Sequence, residues 1–151
     1  MKTNEPQKRM DPTAYREFLS HVDLKNIVLD SCTVKTNRDK IAGNMKMDIK
    51  NKVDYVVENN NLAIITSRYN VVATRSTQKE SALKIECIFR VELSSDQPIT
   101  EDFLDIFTKV NLYINTWPYL REFVQSTIQR IGYPPLTLPL LKPHDKPPVK
   151  K

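Results

Sequence analysis

The run Leu83-Lys84-Ile85-Glu86-Cys87-Ile88-Phe89-Arg90-Val91-Glu92-Leu93 decides the architecture of this chain. Leu83, Ile85, Cys87, Phe89, Val91 and Leu93 share one parity, while Lys84, Glu86, Arg90 and Glu92 take the other. Side chains of a strand alternate between two faces, so this spacing predicts a strand with one buried and one solvated side. The pattern recurs upstream. Met45, Met47, Ile49, Val53, Tyr55 and Val57 alternate with Lys46, Asp48, Lys50, Lys52 and Asp54, and Ala63, Ile65, Tyr69, Val71 and Ala73 keep the same phase. Between the two runs, Asn59-Asn60-Asn61 predicts a turn, because Asn tolerates positive φ where glycine is lacking. A further strand is expected over 24–35, with Ile27, Val28, Leu29, Cys32 and Val34 in imperfect alternation, as where both faces are partly covered. One polar face in the three clearer strands means an antiparallel sheet packed on one side only.

Helical signals flank this block. Asp11-Pro12 reads as an N-cap followed by proline at the first helical position, and Ala14, Tyr15, Phe18, Leu19 and Val22 recur at helical spacing, giving a short helix over 12–22. Thr100 can cap a helix whose first turn carries Glu101 and Asp102, and whose apolar stripe is Phe103, Ile106, Phe107, Val110 and Ile114. Pro118 is expected to interrupt that helix and start a second one, with Leu120, Phe123, Val124, Ile128 and Ile131 on one face. Gly132 fits the left-handed position after it, and Pro134-Pro135 forbid continuation. Leu136, Leu138 and Leu140 then alternate in an extended segment. The expected fold is α+β: a four-stranded antiparallel sheet, two C-terminal helices packed on one face, and a short N-terminal helix. The domain is placed at 12–141, with residues 1–11 and the Pro/Lys-rich tail 142–151 expected to be disordered.

A chain of 151 residues is enough for one domain with a modest core. It has no apolar run near the ~20 residues that span a bilayer, so membrane insertion is not expected. The polar start with Lys2, Lys8 and Arg9 does not read as a signal peptide. Cys32 and Cys87 are too far apart in sequence for a metal pair and too few for a disulfide framework, which suits a cytoplasmic location. The net charge of +5 owes much to the two ends, and no Arg-rich stripe is present. A basic nucleic-acid-binding module is the alternative this charge leaves open. His21 and His144 are the only histidines and Gly43 and Gly132 the only glycines, so no metal pair, phosphate loop or nucleophile elbow can be drawn. No catalytic residue, metal or cofactor is expected, and no convergent polar cluster identifies a small ligand.

What remains is apolar and aromatic surface. Tyr113, Trp117, Tyr119 and Tyr133 fall near the helix joints, where they either complete the core or line a groove for extended polypeptide. Arg121 and Glu122 are adjacent on a helix and point apart, so Arg121 is expected to tie the helix to a neighbouring carbonyl or carboxylate.

The order N-T-W-P-Y-L-R-E at 115–122, followed by G-Y-P-P-L-T-L-P at 132–139, resembles the C-terminal signature of the SecB family of export chaperones. Matching positions are Pro118, Tyr119, Arg121 and Glu122, then Gly132, Pro134, Pro135, Leu136 and Leu138. The resemblance implies an ATP-independent holdase that wraps unfolded chains along apolar grooves. Such a protein would be a homotetramer built as a dimer of dimers, with no cofactor. It also implies client contact through Tyr113, Trp117, Tyr119, Tyr133, Leu136, Leu138 and Leu140. Assembly would then run through Phe103, Ile106, Phe107, Val110 and Ile114. The proteobacterial members are acidic, which helps them dock to the translocation motor. This chain is basic, so the resemblance does not extend to that docking. The N-terminal helix and the P-P-L-T-L ending look more like an atypical branch that includes chaperones of toxin–antitoxin systems. An antitoxin client is therefore favoured over preproteins.

Overall fold

The computed structural model describes residues 10–43, 45–75 and 80–139. The expectations for residues 1–9, for the tail 142–151 and for Leu140 lie outside the described residues. The order is α1 (Pro12–Leu19), β1 (Val22–Thr36), a 3-10 turn at Arg38–Lys40, β2 (Met45–Asn59), β3 (Leu62–Arg75), β4 (Ser81–Ser95) and α2 (Glu101–Arg130). All strands are antiparallel in one sheet of order β1-β4-β3-β2, so the first two strands form its opposite edges.

In β2, β3 and β4 the alternation read from the sequence is the alternation of burial, whereas β1, expected to be partly covered on both faces, lies at the sheet edge with most of its residues exposed. Ala63, Ile65, Tyr69, Val71 and Ala73 of β3 and Leu83, Ile85, Cys87, Phe89, Val91 and Leu93 of β4 are all buried. On the edge strand β2 the same parity is half-buried and the opposite parity exposed. Two odd positions break the apolar phase, Asn51 and Ser67. They satisfy each other, since Asn51 Nδ2 donates to Ser67 Oγ at 2.9 Å. Pairing two polar groups beneath the helix removes the cost of burying either alone.

One element differs from expectation. The two C-terminal helices are a single helix of 30 residues, with Pro118 inside it. Proline removes the N–H that would bond the carbonyl of Ile114, and its ring crowds that carbonyl. Both Pro118 and Ile114 lie on the exposed side, where water can take the freed acceptor. Tyr113, Thr116, Trp117 and Leu120 bury the opposite side against the sheet and carry the packing across the break. Just before the proline, Asn115 Nδ2 donates to the carbonyl of Asn111 at 2.7 Å and Thr116 Oγ1 donates to that of Leu112 at 3.0 Å. Such back-bonding accompanies bent helices. At about 1.5 Å per residue the helix runs for roughly 45 Å. It therefore covers two core regions. Its first half packs with Ala63, Ile65, Val91 and Leu93, and its second half with Tyr69, Val71, Leu83 and Ile85.

The helix ends follow local chemistry. Thr100 Oγ1 accepts from the backbone N–H of Phe103 at 3.3 Å, with Glu101 and Asp102 in the first turn. Asp11 stands at the N-cap of α1 with proline after it, but its side chain makes no cap bond, a departure from the expected cap. That helix also stops earlier than 22, because Val22 is already paired with Ser95 as the first residue of β1. Tyr15 and Phe18 bring α1 onto Phe103, with ring centroids 5.3 and 4.7 Å away.

The β2–β3 turn works by a different device from the one expected. No described residue other than glycine has positive φ. Asn59 Oδ1 accepts from the N–H of Asn61 at 3.2 Å, Asn61 Nδ2 donates to the carbonyl of Ser95 at 2.9 Å, and the Asn60 carbonyl accepts from the N–H of Ile99. The asparagines act through side-chain and backbone hydrogen bonds, with a register shift between Val57 and Asn59 absorbing the geometry.

Candidate functional site

The site is built where α2 ends. Gly132 has φ +74°. Around it the N–H of Tyr133 donates to the carbonyl of Ile128, and the N–H of Gly132 to that of Gln129, each at 3.2 Å. This crossed pair of bonds closes the helix and reverses the chain. Arg38, from the 3-10 turn, donates through Nη2 to the carbonyl of Ile131 at 2.8 Å and lies 5.7 Å above the Tyr133 ring. The connection between the two edge strands is thereby tied to the C-terminal end of the helix, where a cation also meets the negative end of the dipole.

Beyond the reversal, the extended segment runs back along α2 and is held by two side chains of the motif. Trp117 Nε1 donates to the carbonyl of Pro139 at 2.9 Å, and Arg121 Nε donates to that of Leu138 at 2.8 Å. Tyr133 O–H donates to the carbonyl of Ala82 on β4 at 3.1 Å. Arg121 thus has the tying role read from sequence, with a carbonyl as its partner. Leu138 is buried, whereas Pro134, Pro135 and Glu122 are exposed.

Between this segment and the sheet lies an apolar groove of about 160 Å³. Its floor is Ala73, Leu83 and Ile128, one wall is Tyr133, Pro134, Pro135 and Leu136, and the other is Ala42, Gly43, Met45 and Met47. Among the described residues, no charged side chain lines it. The groove opens beside the start of β2, an edge strand hydrogen-bonded only to β3 among the described residues. A segment seated there could combine apolar contact with main-chain pairing to that edge.

The residues expected at a client surface divide by burial. Tyr113, Trp117, Tyr133 and Leu138 belong to the core, with Tyr133 also presenting part of its surface to the groove. Leu136 is half-buried in the groove wall. Tyr119 is 48% exposed and sits over Phe89 at 6.2 Å between centroids, away from the groove residues. The expected assembly stripe divides too: Phe103 and Phe107 are buried inside the chain, Ile106 is half-buried, and Val110 and Ile114 are 51% and 57% exposed. Reading the sequence missed Met45 and Met47 as groove residues. Two flexible thioether side chains on the apolar parity of one strand were the available signal, since methionine adapts to irregular partners.

Titration of the core follows its burial. Burial raises the Tyr69 phenol to about 12, against a lesser opposing effect of its bonds to Thr116 and Ser67. Burial alone lifts Tyr15 to about 12. Tyr55 also reaches about 12, chiefly because its O–H donates to Asp105. These groups stabilise the packing and lie outside the groove lining. Among the described residues, no group of three or more His, Cys, Asp and Glu side chains is placed to hold a metal, and no helix is long and apolar enough to cross a membrane.

No family model and no curated protein matches the sequence. Solved structures do match. The SecB-like chaperone Rv1957 of Mycobacterium tuberculosis, solved with a ChAD peptide from the HigA1 antitoxin, is similar at TM-score 0.73. The match has 17% identity and covers 85% of this chain and 96% of that one. A protein of unknown function from Streptococcus agalactiae overlaps 79% of this chain and 97% of its own, at 10% identity and TM-score 0.45, too low to indicate a shared fold. The fold is that of a SecB-like chaperone.

Proposed function

We propose that this protein is an ATP-independent holdase that binds unfolded or aggregation-prone polypeptide. The observation that carries the reading is a groove whose described lining is apolar, beside the edge strand β2, within a SecB-like fold. Extended chains with apolar side chains suit such a site, because main-chain pairing is independent of sequence and the groove rewards any apolar residue that enters. A folded client cannot offer its backbone in this way, so recognition is confined to non-native segments. Met45 and Met47 add the adaptability that a sequence-tolerant site needs. The antitoxin peptide in the SecB-like neighbour supports an antitoxin as the client class, ahead of preproteins for export. We place the protein in the cytoplasm as a homotetramer, with the exposed Val110 and Ile114 of α2 as the assembly contact.

The test is light scattering of a chemically unfolded client diluted into buffer without ATP, at low and high salt. Suppression that persists at high salt is the expected result. Suppression that disappears with salt would instead indicate charge-driven binding, as counterion release requires for polyanions. Met47→Asp places a charge in the groove and should reduce suppression severalfold while leaving far-ultraviolet circular dichroism unchanged. Unaltered suppression by this variant would remove the groove from the assignment.

A further inference from the structure

Cys32 on the edge strand β1 and Cys87 on β4 are Cα partners in the antiparallel register. Residues opposed in this way share a face of the sheet, with Cα atoms roughly 4.5–5.5 Å apart. That separation lies inside the span of roughly 4.4–6.8 Å that a disulfide bridges. The two thiols differ in access: Cys32 is exposed and Cys87 is fully buried. A register irregularity between Leu29 and Ser31 lies just before Cys32. β1 also has a single neighbour, which leaves its backbone room to adjust.

We infer that Cys32 and Cys87 form a single oxidation site, in which a hydroperoxide converts the pair to a cross-strand disulfide. Cys32 meets the oxidant: its sulfur takes one peroxide oxygen, the O–O bond breaks, and Cys32 becomes a sulfenic acid with release of an alcohol, or of water from hydrogen peroxide. The Cys87 sulfur then attacks the Cys32 sulfur. An S–S bond forms, the S–O bond breaks, and the departing hydroxide leaves as water with the Cys87 proton. In total, two thiols and one hydroperoxide give one disulfide, one water and one alcohol, or a second water when hydrogen peroxide is used. The order of events follows from burial. Desolvation, with smaller contributions from Cys32 and Glu86, pushes the Cys87 thiol up to about 12, so it stays protonated at neutral pH and is not the group oxidised first. Its pairing opposite Cys32 makes it the resolving partner, and it gives up its proton to the departing hydroxide as the S–S bond forms. The product ties an edge strand to the centre of the sheet. A strand held by one ladder gains a covalent bond to that ladder, under conditions in which oxidised, unfolding clients accumulate.

The experiment treats the full-length protein with hydrogen peroxide, blocks residual thiols after unfolding, and measures intact mass and tryptic peptides. The expected result is a monomer that loses about two mass units, the two thiol hydrogens. The 26–35 peptide should be linked to the 85–90 peptide, and the link should be reversed by a dithiol reductant. Cys32→Ser should abolish it. In Cys87→Ala, Cys32 should proceed to sulfinic acid or to an intermolecular disulfide. Because Cys87 is in the core, the unmodified chain also provides the test without any substitution. Three results would overturn the proposal: both thiols still fully alkylated, Cys32 over-oxidised with Cys87 still a thiol, or a disulfide only between two chains through Cys32.

Discussion

Gly132 shows how one residue positions a site. Its positive φ reverses the chain after α2, yet a Cβ added there would meet nothing within 4 Å. The cost of Gly132→Ala is therefore conformational and not steric, on the order of 1–2 kcal/mol. Chemical denaturation should report that loss, together with a loosened C-terminal segment. Trp117→Phe keeps an aromatic ring but loses the second ring of the buried indole and its N–H bond to Pro139, the bond alone being worth about 1 kcal/mol. A loss several times larger would mean that the indole also fills space phenylalanine cannot. The tyrosines give a pH prediction. Tyr15, Tyr55 and Tyr69 are each raised from 10.0 to about 12 in the folded chain. A raised phenol binds its proton more tightly folded than unfolded, so its contribution is complete below pH 10 and disappears as pH rises through about 12. The phenolate absorbance of the native protein should therefore develop late for Tyr15, Tyr55 and Tyr69, and the unfolding midpoint should fall over the same window. Ordinary titration of these three with no loss of stability would contradict this account.

At the scale of elements, the long helix is decided by where its proline points. The same Pro118 turned toward the sheet would have left the Ile114 carbonyl dry and ended the helix. Facing water, it costs a backbone bond but leaves the packing intact. Pro118→Ala should restore that bond and raise stability by up to about 2 kcal/mol, allowing for the freer unfolded chain. A decrease in the denaturation midpoint would mean that the bend itself is needed to seat Trp117 and Leu120 on the sheet.

At the scale of the whole molecule, the sheet order creates the groove. With β1 and β2 at opposite edges, the segment joining them must cross one end of the sheet. There it meets the end of α2, with Arg38 bonded to Ile131. The groove exists because these distant segments converge on Ala73 and Leu83. Assembly belongs to this scale as well. Val110→Asp combined with Ile114→Asp should lower the mass seen by light scattering, since a charge in an apolar contact is strongly unfavourable. A mass of one chain before substitution would overturn the proposed assembly, and an unchanged larger mass would place its contact elsewhere, with the exposed Leu24, Leu29 and Val34 of β1 the next surface to alter.

The strands, the buried parity of β3 and β4, the Thr100 cap, the Gly132 reversal and the tying role of Arg121 were all legible in the sequence, whereas the exposure of β1 was not, because it follows from that strand's place at the sheet edge. Each is a local property of a few neighbouring residues, set by side-chain periodicity or backbone sterics. The continuity of α2 was not legible, because a proline breaks or merely bends a helix according to which side meets water. The Asn59-Asn60-Asn61 turn was placed correctly but by the wrong mechanism, since its hydrogen bonds reach Ser95 and Ile99 across the fold. The groove and the Cys32–Cys87 pair were also beyond reading. Both depend on strand order and register, which place side chains dozens of residues apart on a single face, and alternation within each strand carries no information about its neighbour.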